Sequence, residues 1–371
     1  MEGDGYMAEE GRTTRINRIK LAISAALWLA ALILSMAARL TGNFAQWYSV
    51  HIYPLWVGSV GRIMGYCPVS VSEMLLYLLL LGAVVWAVGR ISGKIGGRGL
   101  YHGFLNLFLL AAVLCFLYVV NCGINYHRES FSDSSGIRTG EYSAKELEAV
   151  CIWLTEKLTD YNGRVERNED GGMRLNLPAE GNAVKAMERL AKDYPELAGY
   201  FPRPKELINS CILSVQNLTG VYSPFTIEAN FNGDVQDYVI PFTACHELSH
   251  LRGFMQEQEA NFIAFLACVT YGEDAFAYSG YLSGWIQCMN VLYKADYDAW
   301  KEVRSRLAPE VEADLKLNRE FWARYDGAIA EVSNKVNDTY LKANGQKDGV
   351  KSYNRMVDLI VAYCKSQGIV R

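Results

Sequence analysis

Three apolar runs crowd the first third of the chain, and they constrain everything that follows. Leu21 to Ala38 carries no charged side chain and is preceded by Arg12, Arg15, Arg18 and Lys20. A second run covers Met74 to Val88, starting near Val71, and a third covers Gly103 to Val120. Each approaches the roughly 20 residues needed to cross the hydrocarbon core of a bilayer. A cleavable leader also pairs a basic start with an apolar run. This run is long for one, however, and Arg39-Leu40-Thr41 offers no small-residue cleavage pattern. Buried core helices are a poor account of three such runs in so short a stretch. The expectation is three transmembrane helices.

Charge orients them. The arm before the first run is basic, and the connection between the second and third carries Arg90, Lys94 and Arg98 with no acid. The connection from Arg39 to Ser72 has only Arg39 and Arg62, and is rich in aromatics (Trp47, Tyr48, Tyr53, Trp56). The positive-inside rule places residues 1–20 in the cytoplasm as a basic arm. The aromatic connection then lies along the outer interface. Residues 21–121 form the membrane region, and residues 122–371 form an extracytoplasmic domain. The lipid bilayer is one partner. A formal net charge of −4 with no basic stripe argues against a nucleic-acid partner. Nine cysteines without a C-x-x-C pair give no cysteine-based zinc or redox motif, and an odd count leaves one thiol unpaired if disulfides form.

From Cys122 the composition becomes that of a globular domain. Ser143-Ala-Lys-Glu146 is a capping-box pattern opening a helix with Leu147, Val150, Cys151 and Leu154 on its apolar face. Further helices are expected over 183–190 and 205–218. Val221 to Asn232 reads as extended, and Pro224 makes it an edge strand or short hairpin. Helices are then expected over 257–270, 278–294, 297–306, 313–336 and 353–366, with a polar, turn-rich segment at 340–349. The fold class expected is three N-terminal transmembrane helices plus a mainly helical α+β, zincin-like ectodomain, with a small sheet ahead of the active helix.

That helix holds Pro-Phe-Thr-Ala-Cys-His-Glu-Leu-Ser-His-Leu-Arg-Gly, Pro241 to Gly253. His246 and His250 lie one turn apart on one helix face, so both imidazoles can reach one metal ion. Glu247 stands beside them, where a carboxylate can take a proton from water at a metal. Catalytic zinc usually takes three protein ligands. No histidine follows His250, and Gln256 stands where a third histidine would fall in the longer H-E-x-x-H-x-x-G-x-x-H pattern. Gly253 can end the helix in a left-handed turn and send the chain back. Glu257 is favoured as third ligand because it shares a face with Ala260, Asn261 and Ala264. Glu259, the rival, shares its face with Phe262 and Ile263. The plainer reading is a surface histidine pair or a degenerate, non-catalytic metal site. Cys245 points about 100° away from His246 and should pack in the core. Tyr278, Tyr281 and Tyr222 are candidate oxyanion donors. The edge segment from Thr226 to Asn232 either binds a peptide by strand addition or is plain scaffold.

Several stretches together resemble a known family. They are Pro-Phe-Thr-Ile-Glu-Ala-Asn (224–230), the motif from Ile240 to Phe254, Glu-Gln-Glu-Ala-Asn-Phe-Ile-Ala (257–264), and Asn-Asp-Thr-Tyr-Leu-Lys-Ala-Asn-Gly-Gln-Lys-Asp-Gly-Val-Lys-Ser-Tyr (337–353). With three preceding spans they resemble the bacterial membrane proteins of the family of unknown function numbered 3810. The resemblance covers nearly the whole chain. It implies a zinc metallopeptidase of gluzincin type, with Zn2+ as cofactor and no established substrate. The Glu257/Asn261 pair resembles the third-ligand helix of other gluzincins, although seven residues from His250 to Glu257 is a short return. The function expected is hydrolysis of peptide or protein substrates at the outer membrane face, with Glu247 as general base. The alternative is a non-catalytic zinc-binding envelope protein, a sensor or an assembly factor.

Overall fold

The apolar runs fold into helices of spanning length: Thr13–Leu40, Val71–Ile91 and Gly99–His127 are each long and apolar enough to cross a membrane. The computed structural model describes residues 2–94, 96–344, 346 and 355–370. Along the spans, Leu29, Leu32, Ile33, Leu80, Leu81, Val85, Phe104 and Leu107 point outward and are exposed. Such a surface is costly in water and natural in hydrocarbon. The first and third spans run side by side in the same direction. Lys20 Nζ donates to Asn106 Oδ1 (2.6 Å), and the rings of Trp28 and Phe108 lie 6.5 Å apart. The second span returns between them in sequence, so the basic residues flanking it and those before the first span collect at one end.

The aromatic connection is helical, with helices Gly42–His51, Tyr53–Trp56 and Arg62–Gly65 and a π-turn over Val57–Gly61. Trp47, Val50, Leu55, Ile63 and Tyr66 face outward, as an interfacial segment should. Tyr48 and Tyr53 do not. They are buried in the main core, where the Tyr53 hydroxyl donates to the Leu251 carbonyl (2.9 Å) and pairs with the Tyr222 hydroxyl (2.8 Å). The third span ends in a second π-turn, Val119–Gly123, closed by Ile124 N–H on the Val119 carbonyl.

The described residues of the globular part form two small sheets. β1 (Glu166–Arg167) and β2 (Met173–Arg174) form an antiparallel ribbon. β3 (Lys205–Glu206), β4 (Gly220–Ser223) and β5 (Glu228–Phe231) form a three-stranded sheet in the order β3-β5-β4, with β5 parallel to β3 and antiparallel to β4. β4 and β5 make the short hairpin expected within Val221 to Asn232, but its Thr226 to Asn232 arm is the centre of the sheet and not its edge; the edge on that side is β4. The expected helix over 205–218 is also replaced. Its first residues supply β3, because Lys205 is drawn into a buried ion pair, and only Cys211–Ser214 is α-helical. The helix expected over 313–336 is two helices, Pro309–Ala323 and Ala328–Ala343, broken at Gly327. Elsewhere periodicity matches: Ala144–Asn162 opens on the Ser143/Glu146 capping box, and helices span Ala179–Leu190, Glu257–Tyr271, Asp274–Ala295 and Tyr297–Ser305. The last helix is described from Arg355 to Ser366; residues 345 and 347–354, most of the 340–353 segment, lie outside the described residues.

A reciprocal clamp ties this sheet to the second span. A helix start leaves backbone N–H groups without partners. Here Val71 N–H and Ser72 N–H donate to the Glu228 carboxylate of β5 (3.1 and 2.9 Å). Lys205 of β3 pairs with the same carboxylate (2.5 Å) and donates to the Met64 and Val69 carbonyls (2.9 Å each). In return, Glu73 in the span's first turn accepts from Ile208 N–H and Asn209 N–H (2.9 Å each). Lys205 and Glu228 are buried, so removing one partner strands the other charge, a loss of roughly 3–5 kcal/mol. We expect Glu228→Leu to lower the melting temperature of the detergent-solubilised chain sharply, and Lys205→Met in the same molecule to restore part of it. A double variant no more stable than the single one would show that the stranded charge is not the cause.

Candidate functional site

The motif helix, Val239–Leu251, is apolar nearly all round: Ala244, Cys245, Leu248 and Leu251 are fully buried. Pro241 is accommodated because it lies in the first turn, where a missing N–H breaks no helical bond. Cys245 packs in the core as expected. The helix ends in a Schellman turn: Gly253 adopts φ +90°, its N–H donates to the His250 carbonyl (2.8 Å), and Phe254 N–H donates to the Ser249 carbonyl (3.1 Å). The positive φ favours glycine, and a Cβ at Gly253 would also crowd Arg128 (3.1 Å). The turn aims the Phe254 carbonyl back at His250 Nδ1 (2.9 Å) and starts the return helix, Glu257–Tyr271.

The short return suffices. His246, His250 and Glu257 bring one ligand atom each within 4.8 Å of one another. His246 Nε2 lies 3.4 Å from Glu257 Oε2, and His250 Nε2 lies 3.6 Å from Glu257 Oε1. Because Nδ1 of His250 donates to the Phe254 carbonyl, its Nε2 presents a lone pair to the carboxylate. Two lone pairs facing each other repel unless a cation sits between them. Zinc donors at about 2.1 Å and a tetrahedral angle would be roughly 3.4 Å apart. The donor set and its spacing thus fit a divalent metal of the zinc type. Burial pushes the His250 imidazole down to about 4, helped by the neighbouring His246, which keeps it neutral and able to ligate. Burial works the same way on His246, but hydrogen bonding and charge from Glu257 outweigh it and raise that imidazole, and Asn261 one turn along adds to the rise.

Glu247 lies under β4. The backbone of Tyr222 hydrogen-bonds its carboxylate, while Oε2 is buried with no partner among the described residues. Burial, reinforced by Glu257, pushes its carboxyl up to about 8. Gly220 permits this approach: a Cβ there would stand 2.6 Å from Glu247 Oε1 and 2.7 Å from Thr243 Cγ2.

These groups open into a cleft of about 890 Å³. Its walls come from the motif and return helices, from β4 with Pro224 and Phe225, from Tyr118, Cys122 and Tyr126 at the end of the third span, and from Asn334, Asn337 and Tyr340 of helix Ala328–Ala343. Of these, Tyr118, Cys122 and Tyr126, and the pair Asn334 and Asn337, are not among the candidates read from the sequence. Tyr118, Cys122 and Tyr126 recur every four residues at the end of an apolar helix, and Asn334 and Asn337 sit one turn apart, so both left a legible pattern. Tyr340 contributes the one described part of the 340–353 segment that lines the cleft.

Glu259 stands apart. Its carboxylate accepts from Ser132 N–H (2.9 Å) and Ser132 Oγ (3.0 Å), capping the short helix Phe131–Ser134. The proposed oxyanion donors are also committed elsewhere. Tyr278 donates to Asp314 and accepts from Arg167 (3.1 Å), Tyr281 packs its ring among Trp153, Tyr161 and Phe265, and Tyr222 is held by Tyr53 and the Asn121 carbonyl.

Two substitutions separate the carboxylates. Glu257→Gln should lower affinity for a divalent metal by one to two orders of magnitude, read by metal retention on dialysis, as expected when a ligand is lost. Glu259→Gln should retain metal and lose about 1–3 kcal/mol of stability through its cap. The reverse pattern would make Glu259 the ligand.

No curated protein and no solved structure matches the chain. The family model described as "Protein of unknown function (DUF3810)" matches residues 48–361, from the aromatic connection through the motif to the last helix, and the chain belongs to that family.

Proposed function

We propose that the protein is a membrane-anchored zinc metallopeptidase of gluzincin type, with its cleft on the extracytoplasmic side. The observation that carries this reading is the buried, unpartnered Oε2 of Glu247 beside three converging donors at an open cleft. A buried carboxylate oxygen without a partner is costly, and such costs gather where chemistry is done. His246, His250 and Glu257 would hold the zinc. When bound, zinc would act as a Lewis acid on the scissile carbonyl and lower the pKa of adjacent water. Glu247 takes the proton from the attacking water and passes it to the leaving amine. The carboxylate is steadied by the Tyr222 backbone. Among the described residues β4 is paired on one side only, by β5. That edge beside Glu247 suits an extended polypeptide added as a strand, one of the two roles open to Thr226 to Asn232 in the sequence.

The orientation rests on charge: Arg15, Arg18, Lys20, Arg90 and Lys94 gather at the end of the spans away from the cleft, the end expected to be cytoplasmic. A non-catalytic zinc protein, sensor or assembly factor, would be served by a closed site with a fourth protein donor. Among the described residues no further His, Cys, Asp or Glu joins the three.

Peptide-library cleavage by the full-length protein in detergent tests this reading. Glu247→Gln should retain zinc and lose about 10²–10⁴-fold in kcat. Equal cleavage by this variant and the parent would sink the assignment. Gly220→Ala should lower kcat at least tenfold with metal content unchanged, because its methyl group displaces Glu247. Unaltered kcat in that variant would dissociate the β4 contact from catalysis.

A further inference from the structure

Helix Ala328–Ala343, which walls one side of the cleft, carries three stripes at about 100° per residue. Ala330, Asn334, Asn337 and Leu341 face the protein: Ala330 and Leu341 are buried, and the two asparagines line the cleft. Glu331, Lys335, Asp338 and Lys342 form a charged stripe, with Lys342 paired to Asp338 (2.5 Å). The third stripe is Ile329, Val332 and Val336, 62%, 60% and 63% exposed. A surface helix bathed in water on both outward sides would be expected to be polar on both.

The position of the helix says what covers the apolar stripe. Its C-terminal end is fastened to the ends of two spans. Arg39, in the last turn of the first, donates to the Ala343 carbonyl (3.4 Å), and Tyr118 of the third donates to Asn344 (2.8 Å). Tyr340 sets its ring against both Tyr118 and Tyr126 (6.1 Å each). These contacts set the C-terminal end of the helix, and with it that end of the apolar stripe, beside the ends of the first and third spans that face the cleft. Exposed Trp47, Trp56 and Tyr66 in the 42–66 connection supply the aromatic belt typical of a membrane interface. One lipid-facing stripe, one charged stripe and one protein-facing stripe make an interfacial helix.

We propose that this helix lies in the outer interface of the bilayer through Ile329, Val332 and Val336. The cleft beneath it then opens at the lipid surface and takes polypeptide segments held there, close to a membrane anchor. The seating of the helix stands on the stripe and its attachment to the spans; the substrate class rests on the peptidase reading above.

The full-length protein, one copy per phospholipid nanodisc with brominated acyl chains, tests the seating. Val332→Trp and Val336→Trp should each add fluorescence that the brominated lipid quenches several-fold more than that added by Lys335→Trp. Equal quenching at all three positions, or quenching by aqueous acrylamide alone, would overturn the seating. So would a stripe protected only when two copies share a disc, since a second copy would then be its partner. For the substrate class, peptides bearing an N-terminal palmitoyl chain are compared with the cleavable segment directly after the anchor or behind a long Gly/Ser spacer. Faster cleavage of the short form is expected, and equal or slower cleavage would overturn that class. Hydrolysis of neither peptide would sink the peptidase reading and its substrate class together, while the quenching result stands or falls separately.

Discussion

The arrangement depends on one buried carboxylate, Glu228. It sits in the central strand of the small sheet, yet it finishes the start of a membrane span by accepting from Val71 and Ser72. A short sheet cannot rigidly hold a domain against a bilayer by packing alone. Here the helix N-terminus supplies orphan donors and partial positive charge, and Glu228 answers both while Lys205 balances its charge. Glu73 closes the loop in the opposite direction. Since β5 also pairs with β4, and β4 covers Glu247, the position of the carboxylate at the cleft is fixed relative to the helix Val71–Ile91 through these two strands.

The site itself works against stability. Two imidazoles and two carboxylates are buried together, and among the described residues one oxygen of Glu247 has no partner. These tensions are affordable because the two helices bearing them are anchored in a dense core of Phe262, Ile263, Phe265, Leu248 and Leu251, and by the Schellman turn that joins them. The Phe254 carbonyl has a double use: it belongs to that turn, and it sets the tautomer of His250.

Much of this was legible in the residues. The three spans follow from uncharged length, the motif helix from its spacing, and the left-handed turn from Gly253. The preference for Glu257 over Glu259 came from the neighbours on each helix face, and the structure brings Glu257 to the histidines while Ser132 occupies Glu259. What the chain concealed were long-range pairings. Lys205 reads as part of a helix until Glu228 is known to lie across from it. Tyr222 and Tyr278 read as free hydroxyls until Tyr53 and Asp314 claim them, and Tyr281 reads as a cleft residue until its ring is found among Trp153, Tyr161 and Phe265. Pro224 signalled an edge correctly, but on the wrong side of the turn: the strand before it is the edge and the strand after it is central.

The π-turn at Val119–Gly123 has a consequence for how this chain can vary. Along an uninterrupted α-helix, Tyr118 and Tyr126 would diverge by about 80°, so the two rings would meet the cleft from more widely separated directions. A π-turn accommodates roughly one extra residue per turn and takes up most of that angle. The alignment of the membrane helix with the cleft is therefore a matter of residue count. Removing a single residue between 119 and 123 would leave hydropathy and span length nearly untouched, yet swing Tyr126 and everything after it about a quarter-turn from the metal-type cluster. In relatives of this chain the length of that stretch should be kept more strictly than its composition.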